Sequence, residues 1–246
     1  MIAITAHAGI LGDEEGEWTI APAVTSAYLF RGVQLAGASF QPAVDYTKGP
    51  LSLGLWSSFA MEDREEGDSD PEIDLYGAFT FSNESGSFSV VPGFNLYTYP
   101  DAEKSNRLYS ATFEPSLAAI FSVGGVQFTP KVYYDVTLKG ATYEITAALA
   151  VPLTSLGTEL DFSASVGTFK WTDVAADTSP SVKNWGDYWT VGVAVPVQIS
   201  VRSQLTAAVL YSEGRNNYLK LGSFPQRINE SAVGKTAFTL TYSITL

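Results

Sequence analysis

Residues 236–246 read TAFTLTYSITL, and this stretch decides the fold. Apolar side chains alternate one by one with small polar or hydroxylated ones along it. The apolar set is Phe238, Leu240, Tyr242, Ile244 and Leu246. A strict period of two is the pattern of a β-strand with one apolar and one polar face. The stretch therefore predicts a strand that separates two different environments.

The same period recurs from Trp18 onward and predicts an all-β protein. Residues 51–61 and 126–139 show it clearly, although Trp56 interrupts the alternation in the first of them. About twelve strands are predicted, each of nine residues or more: 18–31, 39–47, 51–61, 72–82, 87–99, 107–122, 126–139, 141–153, 158–171, 187–201, 203–213 and 236–246. Globular strands usually have about five or six residues, whereas about 9 to 11 cross a bilayer at a tilt.

The amino-acid composition also indicates a membrane environment. Of the 246 residues, 46% are apolar and 16% are charged, with a net charge of -12, whereas a soluble domain carries about 25% charged residues. Apolar runs are short, and the most continuous one, at 147–153, contains Pro152. A membrane-spanning helix needs about 20 apolar residues, so such helices are excluded. Strands with one face toward lipid and the other toward a lumen of small residues explain both facts.

The connections alternate between short turns and long links, which is the plan of an outer-membrane barrel. Short turns are predicted at 48–50, 83–86, 124–125, 154–157 and near Arg202, and long links at 32–38, 62–71, 100–106, 172–186 and 214–235. The connection after Lys139 is an exception to this alternation, because Gly140 alone forms it. We therefore expect a transmembrane antiparallel up-and-down β-barrel over residues 18–246. Residues 1–17 are expected to be an N-terminal tail or the remnant of a signal peptide. A soluble sandwich or lipocalin-like barrel is disfavoured, because its second face would carry charge rather than Ser, Thr, Gly and Ala.

The residue inventory limits the chemistry. The chain has no cysteine and one histidine, His7, so thiolate chemistry and a histidine base in the core are not available. The acidic balance argues against nucleic acid, whose phosphates need a basic surface. We expect no enzyme activity and no cofactor.

Charged residues inside the predicted strands mostly share the parity of the small polar residues. A charge that faces lipid at mid-depth costs about 2 to 4 kcal/mol for a basic residue, so these side chains should point into the lumen. The candidate pore-lining residues are Arg31, Asp45, Asp74, Glu114, Lys131, Asp135, Glu144, Glu159 and Asp161. They either pair with one another and close the barrel or set the selectivity of a pore.

The most charged stretch of the chain is the segment at 62–74. This acidic segment is either a divalent-cation loop or a solvated extracellular loop. The solvated loop is preferred, because runs of like charge are usually solvated.

Aromatic residues gather near the long-link ends and predict an interfacial girdle. They are Tyr28, Phe30, Phe59, Tyr97, Tyr99, Tyr109, Trp171, Tyr188, Trp189 and Tyr211.

Seven prolines fall inside predicted strands, where each removes a hydrogen-bond donor. They are Pro22, Pro42, Pro92, Pro115, Pro130, Pro152 and Pro196.

Several blocks, taken in order, resemble the TorF-like porin family, a Gram-negative outer-membrane family of unknown function. They are TSAYLFRG (25–32), QPAVDY (41–46), LGLWSS (53–58), EIDLYGAF (72–79), LYTYPDAE (96–103), FEPSLAA (113–119), SVGTFKW (165–171) and WGDYWTVGV (185–193). The resemblance covers most of the chain and implies a barrel in the bacterial outer membrane.

The sequence thus predicts an outer-membrane barrel that lets small solutes diffuse passively. The alternative is a closed structural or surface-interaction barrel whose acidic loops bind cations, lipopolysaccharide or a partner protein. Membrane lipids and lipopolysaccharide are the expected surroundings in either case.

Overall fold

The computed structural model of the chain describes residues 15–62, 71–101, 110–137, 139–170, 185–215 and 234–246. No helix in this described part has the length and apolar character to cross a membrane. The described strands are β1 (Glu17–Ala21), β2 (Ala23–Thr25), β3 (Tyr28–Phe30), β4 (Val33–Ala36), β5 (Ser39–Phe40), β6 (Ala43–Lys48), β7 (Leu51–Ala60), β8 (Glu72–Phe79), β9 (Phe81–Ser82), β10 (Phe88–Thr98), β11 (Ala111–Val123), β12 (Val126–Asp135), β13 (Gly140–Leu153), β14 (Thr158–Lys170), β15 (Trp185–Ser200), β16 (Ser203–Arg215) and β17 (Lys235–Thr245).

The sheet closes on itself. β1 pairs antiparallel with β17, with Thr19 opposite Thr245, and sequential neighbours pair antiparallel around the rest of the ring. Strands β2, β5 and β9 are short extensions of β1, β6 and β8 that pair with the same neighbours. The described strands therefore fill twelve positions around a closed barrel, which confirms the predicted all-β, up-and-down transmembrane fold. Closure leaves no unpaired edge among the described wall strands, as a hydrocarbon environment requires.

The wall has two chemically different faces. On β17 the side chains of Phe238, Leu240 and Tyr242 are exposed on the outside. The alternate residues face inward, where the Thr239 hydroxyl lies 3.0 Å from the Thr25 hydroxyl. An apolar outer face that alternates with small polar inner residues is the arrangement of a lipid-facing barrel.

The strand prolines lie where a ladder is broken or has ended. Pro92 pairs with β11 but sits at the break between the β8 and β9 pairings of β10. Pro130 pairs with β13 at an interruption of the β11 ladder, between the pairs Ala118–Lys131 and Phe121–Phe128. Pro196 pairs with β16 beyond the last β14 partner, Ala194. A missing N–H costs little at such positions, so a closed barrel accommodates these residues.

One predicted strand is wrong at its end. Residues 18–31 do not continue along the wall, because the wall segment ends at Thr25 and residues 28–36 form a separate hairpin of β3 and β4. The predicted link at 32–38 is therefore partly the return strand of this hairpin. Its two-residue turn, Arg31–Gly32, has positive φ angles of 46° and 81°. Two positive φ values are the requirement of a type I′ turn, the kind that joins strands most tightly.

Candidate functional site

The hairpin of residues 28–36, here called the inner hairpin, lies inside the barrel. It occupies the connection from β2 to β5, at the end opposite the short turns. The Tyr28 ring lies 5.4 Å from that of Trp56, and the Phe30 ring lies 6.0 Å from that of Tyr97. Both partners stand on the inner face of the wall, at positions next to Ala43 and Asp74 in the ladders. The hairpin therefore crosses the lumen rather than extending from the barrel rim.

The tip of the inner hairpin is held by a buried ion pair. Arg31 Nη1 and Nη2 donate to Glu114 Oε1 and Oε2, each at 2.8 Å, across 83 residues of sequence. Tyr97 Oη donates to the same carboxylate at 3.0 Å. The guanidinium carbon lies 4.8 Å from the ring centroids of both Phe30 and Tyr133. A bidentate, charge-assisted pair with cation–π contacts fixes both position and orientation.

A second group of side chains completes the packing at this level. Tyr188 Oη donates to Glu144 Oε2 at 2.6 Å, and Tyr133 Oη lies 3.4 Å from Glu144 Oε1. Lys131 Nζ lies 4.5 Å from the Tyr133 ring centroid, on the strand position that faces Glu144. Phe169 packs on Tyr188 and is fully buried, at 0% exposure. We call the inner hairpin together with its packing partners on the wall the constriction. These partners are Tyr97, Glu114, Lys131, Tyr133, Glu144, Phe169 and Tyr188.

Backbone contact also positions the hairpin. A Cβ atom on Gly32 would lie 2.6 Å from Gly214 Cα and 2.7 Å from Tyr188 Cβ. The tip therefore touches the β15–β16 wall at a distance that only glycine permits. Gly32 serves both this approach and the positive φ of the turn.

Acidic residues occupy the inner face near β8. Tyr99 Oη donates to Glu72 Oε1 at 3.3 Å, and Tyr76 Oη donates to Asp45 Oδ1 at 2.5 Å. Asp74, two residues from Glu72, is buried, and its Oδ1 has no hydrogen-bond partner in the described residues. These side chains line one side of the lumen with acidic groups.

The predicted charged residues occupy two kinds of position. Arg31 is not on the wall, as the predicted strand 18–31 required, but at the tip of the inner hairpin. The other eight stand on inner-face positions of the wall: Asp45, Asp74, Glu114, Lys131, Asp135, Glu144, Glu159 and Asp161. The constriction brings Arg31, Glu114, Lys131 and Glu144 together. Asp45, Glu159 and Asp161 stand apart, toward the short turns.

The predicted aromatic girdle is correct only in part. Phe59 is exposed on the outer face, and the Trp189 and Tyr211 rings lie 5.0 Å apart on neighbouring outer positions. In contrast, five members of the predicted set turn into the lumen: Tyr28, Phe30, Tyr97, Tyr99 and Tyr188. Tyr109 and Trp171 lie outside the described residues.

The interruption at Trp56 was the available sign of this inner packing. An aromatic residue at inward parity in a lumen of small residues needs something large to pack against, and the inner hairpin supplies Tyr28. Tyr133, also at inward parity, carries the same information.

The acidic segment at 62–74, for which a divalent-cation loop is the alternative to a solvated loop, lies largely outside the described residues, which leave out 63–70. Within the part that the structure describes, no group of three or more His, Cys, Asp or Glu side chains is arranged to hold a metal ion. The N-terminal residues 1–14, with His7, also lie outside the described part.

Solved outer-membrane structures share this fold. The COG4313 outer membrane channel from Pseudomonas putida F1 matches over 100% of both chains with a TM-score of 0.55 and 9% identity. NanC porin matches over 93% of this chain and 100% of its own, with a TM-score of 0.54 and 8% identity. KdgM porin, solved in complex with disordered oligogalacturonate, matches over 93% and 98%, with a TM-score of 0.53 and 10% identity. The chain is thus a barrel that resembles outer-membrane porins and channels in fold.

Comparison of the sequence, rather than of the fold, identifies the family of this chain. No curated protein matches the chain, and the resemblance to TorF-like porins stays a prediction. One family model, described as a bacterial protein of unknown function, covers residues 13–239. Since that match spans most of the chain, from before β1 into β17, the protein belongs to the Gcw_chp family.

Proposed function

We propose that the protein is a channel of the bacterial outer membrane through which small solutes diffuse passively, narrowed by the inner hairpin. The inner wall on the short-turn side of the constriction carries the proposal. Many of its inward positions are held by small side chains such as Ala78, Ser116, Ala148 and Ser163. A barrel of about eight strands is just wide enough for side chains to fill. Twelve strands lined by small residues leave room for solutes.

The outer face supports the membrane location. Exposed apolar side chains recur on the outside of strands around the ring, as with Leu55, Leu117, Ile145 and Leu240. A contiguous apolar band on a soluble protein would aggregate, whereas lipid tails accept it. Membrane lipids and lipopolysaccharide are therefore the proposed surroundings, and small solutes the proposed cargo.

A closed structural barrel is the second candidate, and the packing of the constriction favours it. Glu114 is 1% exposed and Phe169 is 0% exposed although both stand at inward positions. Water-filled lumens leave such residues wet, so these side chains are packed against others at this level rather than lining open water. In the channel proposal, solutes pass when the inner hairpin moves away from this position.

Enzyme function has less support. The Arg31–Glu114 and Tyr188–Glu144 contacts use their donors and acceptors on each other, which suits a plug more than a catalytic centre.

Planar-bilayer recording of the purified, refolded full chain separates the two candidates. The channel proposal predicts stepwise current on insertion, and complete silence of inserted protein would overturn it in favour of the closed barrel. A matched pair of variants, Gly32→Ala and Gly86→Ala, tests whether the inner hairpin sets the size of the single-channel current step.

A further inference from the structure

The charges of the lumen are unequally distributed, and this gives the channel proposed above a preferred class of solute. Basic and acidic side chains both reach the constriction, but on its short-turn side the charged side chains at inward positions of the described strands are all acidic. The inference rests on the channel function and concerns the sign of the ions that pass.

Both cations of the constriction have an acidic residue nearby. Arg31 is paired in bidentate fashion with Glu114 and lies 7% exposed. Lys131 sits over the Tyr133 ring, on the strand position opposite Glu144 in the ladder. The charge of Arg31 is therefore largely cancelled before a solute arrives, and that of Lys131 is offset by the negative charge of Glu144 on the neighbouring strand.

The lumen toward the short turns is acidic. Asp45, held by Tyr76, stands on one wall, and Glu159 and Asp161 stand on another, two residues apart on the inner face of β14. No lysine or arginine occupies an inward strand position on this side of Lys131 in the described part of the barrel. Clefts lined by one sign of charge between low-dielectric walls concentrate counter-ions.

We propose that the open channel selects small cations over anions, with Asp45, Glu159 and Asp161 as the residues that determine the sign of its selectivity. Oligogalacturonate, the ligand named with KdgM, is a polyanion, and this inner face would repel a solute of that kind.

The test is the reversal potential of the full-length channel in a planar bilayer under a potassium chloride gradient. The expected result is a potassium preference of about threefold or more at low salt. The preference should decline as salt rises, because the Debye length falls from about 10 Å at 0.1 M to about 3 Å at 1 M. A preference that is independent of salt would contradict a charge-based mechanism.

Variants assign the effect to residues. The Asp45→Asn/Asp161→Asn double variant should bring the permeability ratio close to one, and Glu159→Gln should lower it less. Glu84→Gln, which removes the same charge from an exposed turn at the same end of the barrel, should leave the ratio unchanged.

The outcomes are distinguishable. Current with an anion preference, or a ratio that the double variant does not change, would overturn the selectivity and leave the channel intact. Absence of any current would overturn the channel function and the selectivity with it.

Discussion

At the scale of single residues, Arg31 shows how a strained backbone position is stabilised by a distant partner. A non-glycine residue with positive φ is uncommon, and Arg31 adopts a φ of 46°. Its guanidinium makes two hydrogen bonds to Glu114 and stacks on Tyr133. The tertiary contacts compensate the local cost, so the side chain and the turn conformation are coupled.

Removal of the Glu114 charge should therefore loosen the inner hairpin. In Glu114→Gln the buried guanidinium loses its counter-charge, and hydrogen bonds to charged groups contribute about 1.5 to 3 kcal/mol each. We expect amide hydrogen exchange of residues 28–36 to accelerate by about tenfold or more, while the barrel strands keep their protection. Mass spectrometry of the exchanged, detergent-folded protein measures this.

Two further variants serve as controls for the Glu114→Gln experiment. Asp45→Asn removes a carboxylate that contacts Tyr76 rather than the inner hairpin, and it should leave exchange at 28–36 unchanged. The Arg31→Met/Glu114→Met double variant leaves no buried charge unpaired and should come closer to wild type than the single variant. Unaltered exchange in Glu114→Gln would show that the pair does not hold the hairpin.

At the scale of elements, the inner hairpin behaves as a part added to a complete wall. The barrel ladder closes through β1 and β17 without it, and β3 and β4 pair only with each other among the described strands. Side-chain contacts and the glycine approach at Gly214 place it in the lumen. An element held this way can move without breaking the sheet.

Displacement of this element should enlarge the channel. In Gly32→Ala the new Cβ would meet Gly214 and Tyr188 at 2.6 to 2.7 Å, so the tip must leave the wall. We expect a larger single-channel conductance in planar bilayers.

The matched control is Gly86→Ala, at a turn with a similar positive φ of 67° and open space around the Cβ position. It carries a comparable backbone penalty of about 1 kcal/mol and should leave conductance unchanged. Equal conductance in the two variants would exclude the hairpin as the constriction.

At the scale of the whole molecule, the two faces of the wall predict opposite tolerances to charge. Leu240 is exposed on the outer face near the middle of β17, and Thr241 is its neighbour on the inner face. Leu240→Arg should lower the free energy of unfolding by about 2 to 4 kcal/mol in lipid, the cost of a basic residue at mid-depth. Thr241→Arg should cost little, because its charge enters the lumen.

Denaturant titration in lipid vesicles, with heat-modifiable electrophoresis as the measure of folding, compares the two variants. If both are destabilised equally, the outer face is not the lipid-facing one, and the membrane orientation of the barrel would be wrong.

The sequence by itself determined the wall. Alternation in stretches such as 236–246, strand lengths and turn spacing predict a twelve-strand barrel, and parity places eight of the nine charged candidates on the inner face. These properties are local, because side chains of a strand point to opposite faces with a period of two. The prolines agree with this wall once the ladder breaks beside them are known.

Only the tertiary structure decided which residues pack inside the lumen. The return of residues 28–36 into the barrel depends on Arg31 meeting Glu114, 83 residues away, and on Gly32 meeting Gly214. No local period encodes such a meeting, since it depends on which wall positions lie across the lumen after closure. For the same reason Tyr97 and Tyr188, which resembled girdle residues in sequence, became packing partners inside. Closure of the sheet, rather than any single strand, decides what fills the barrel.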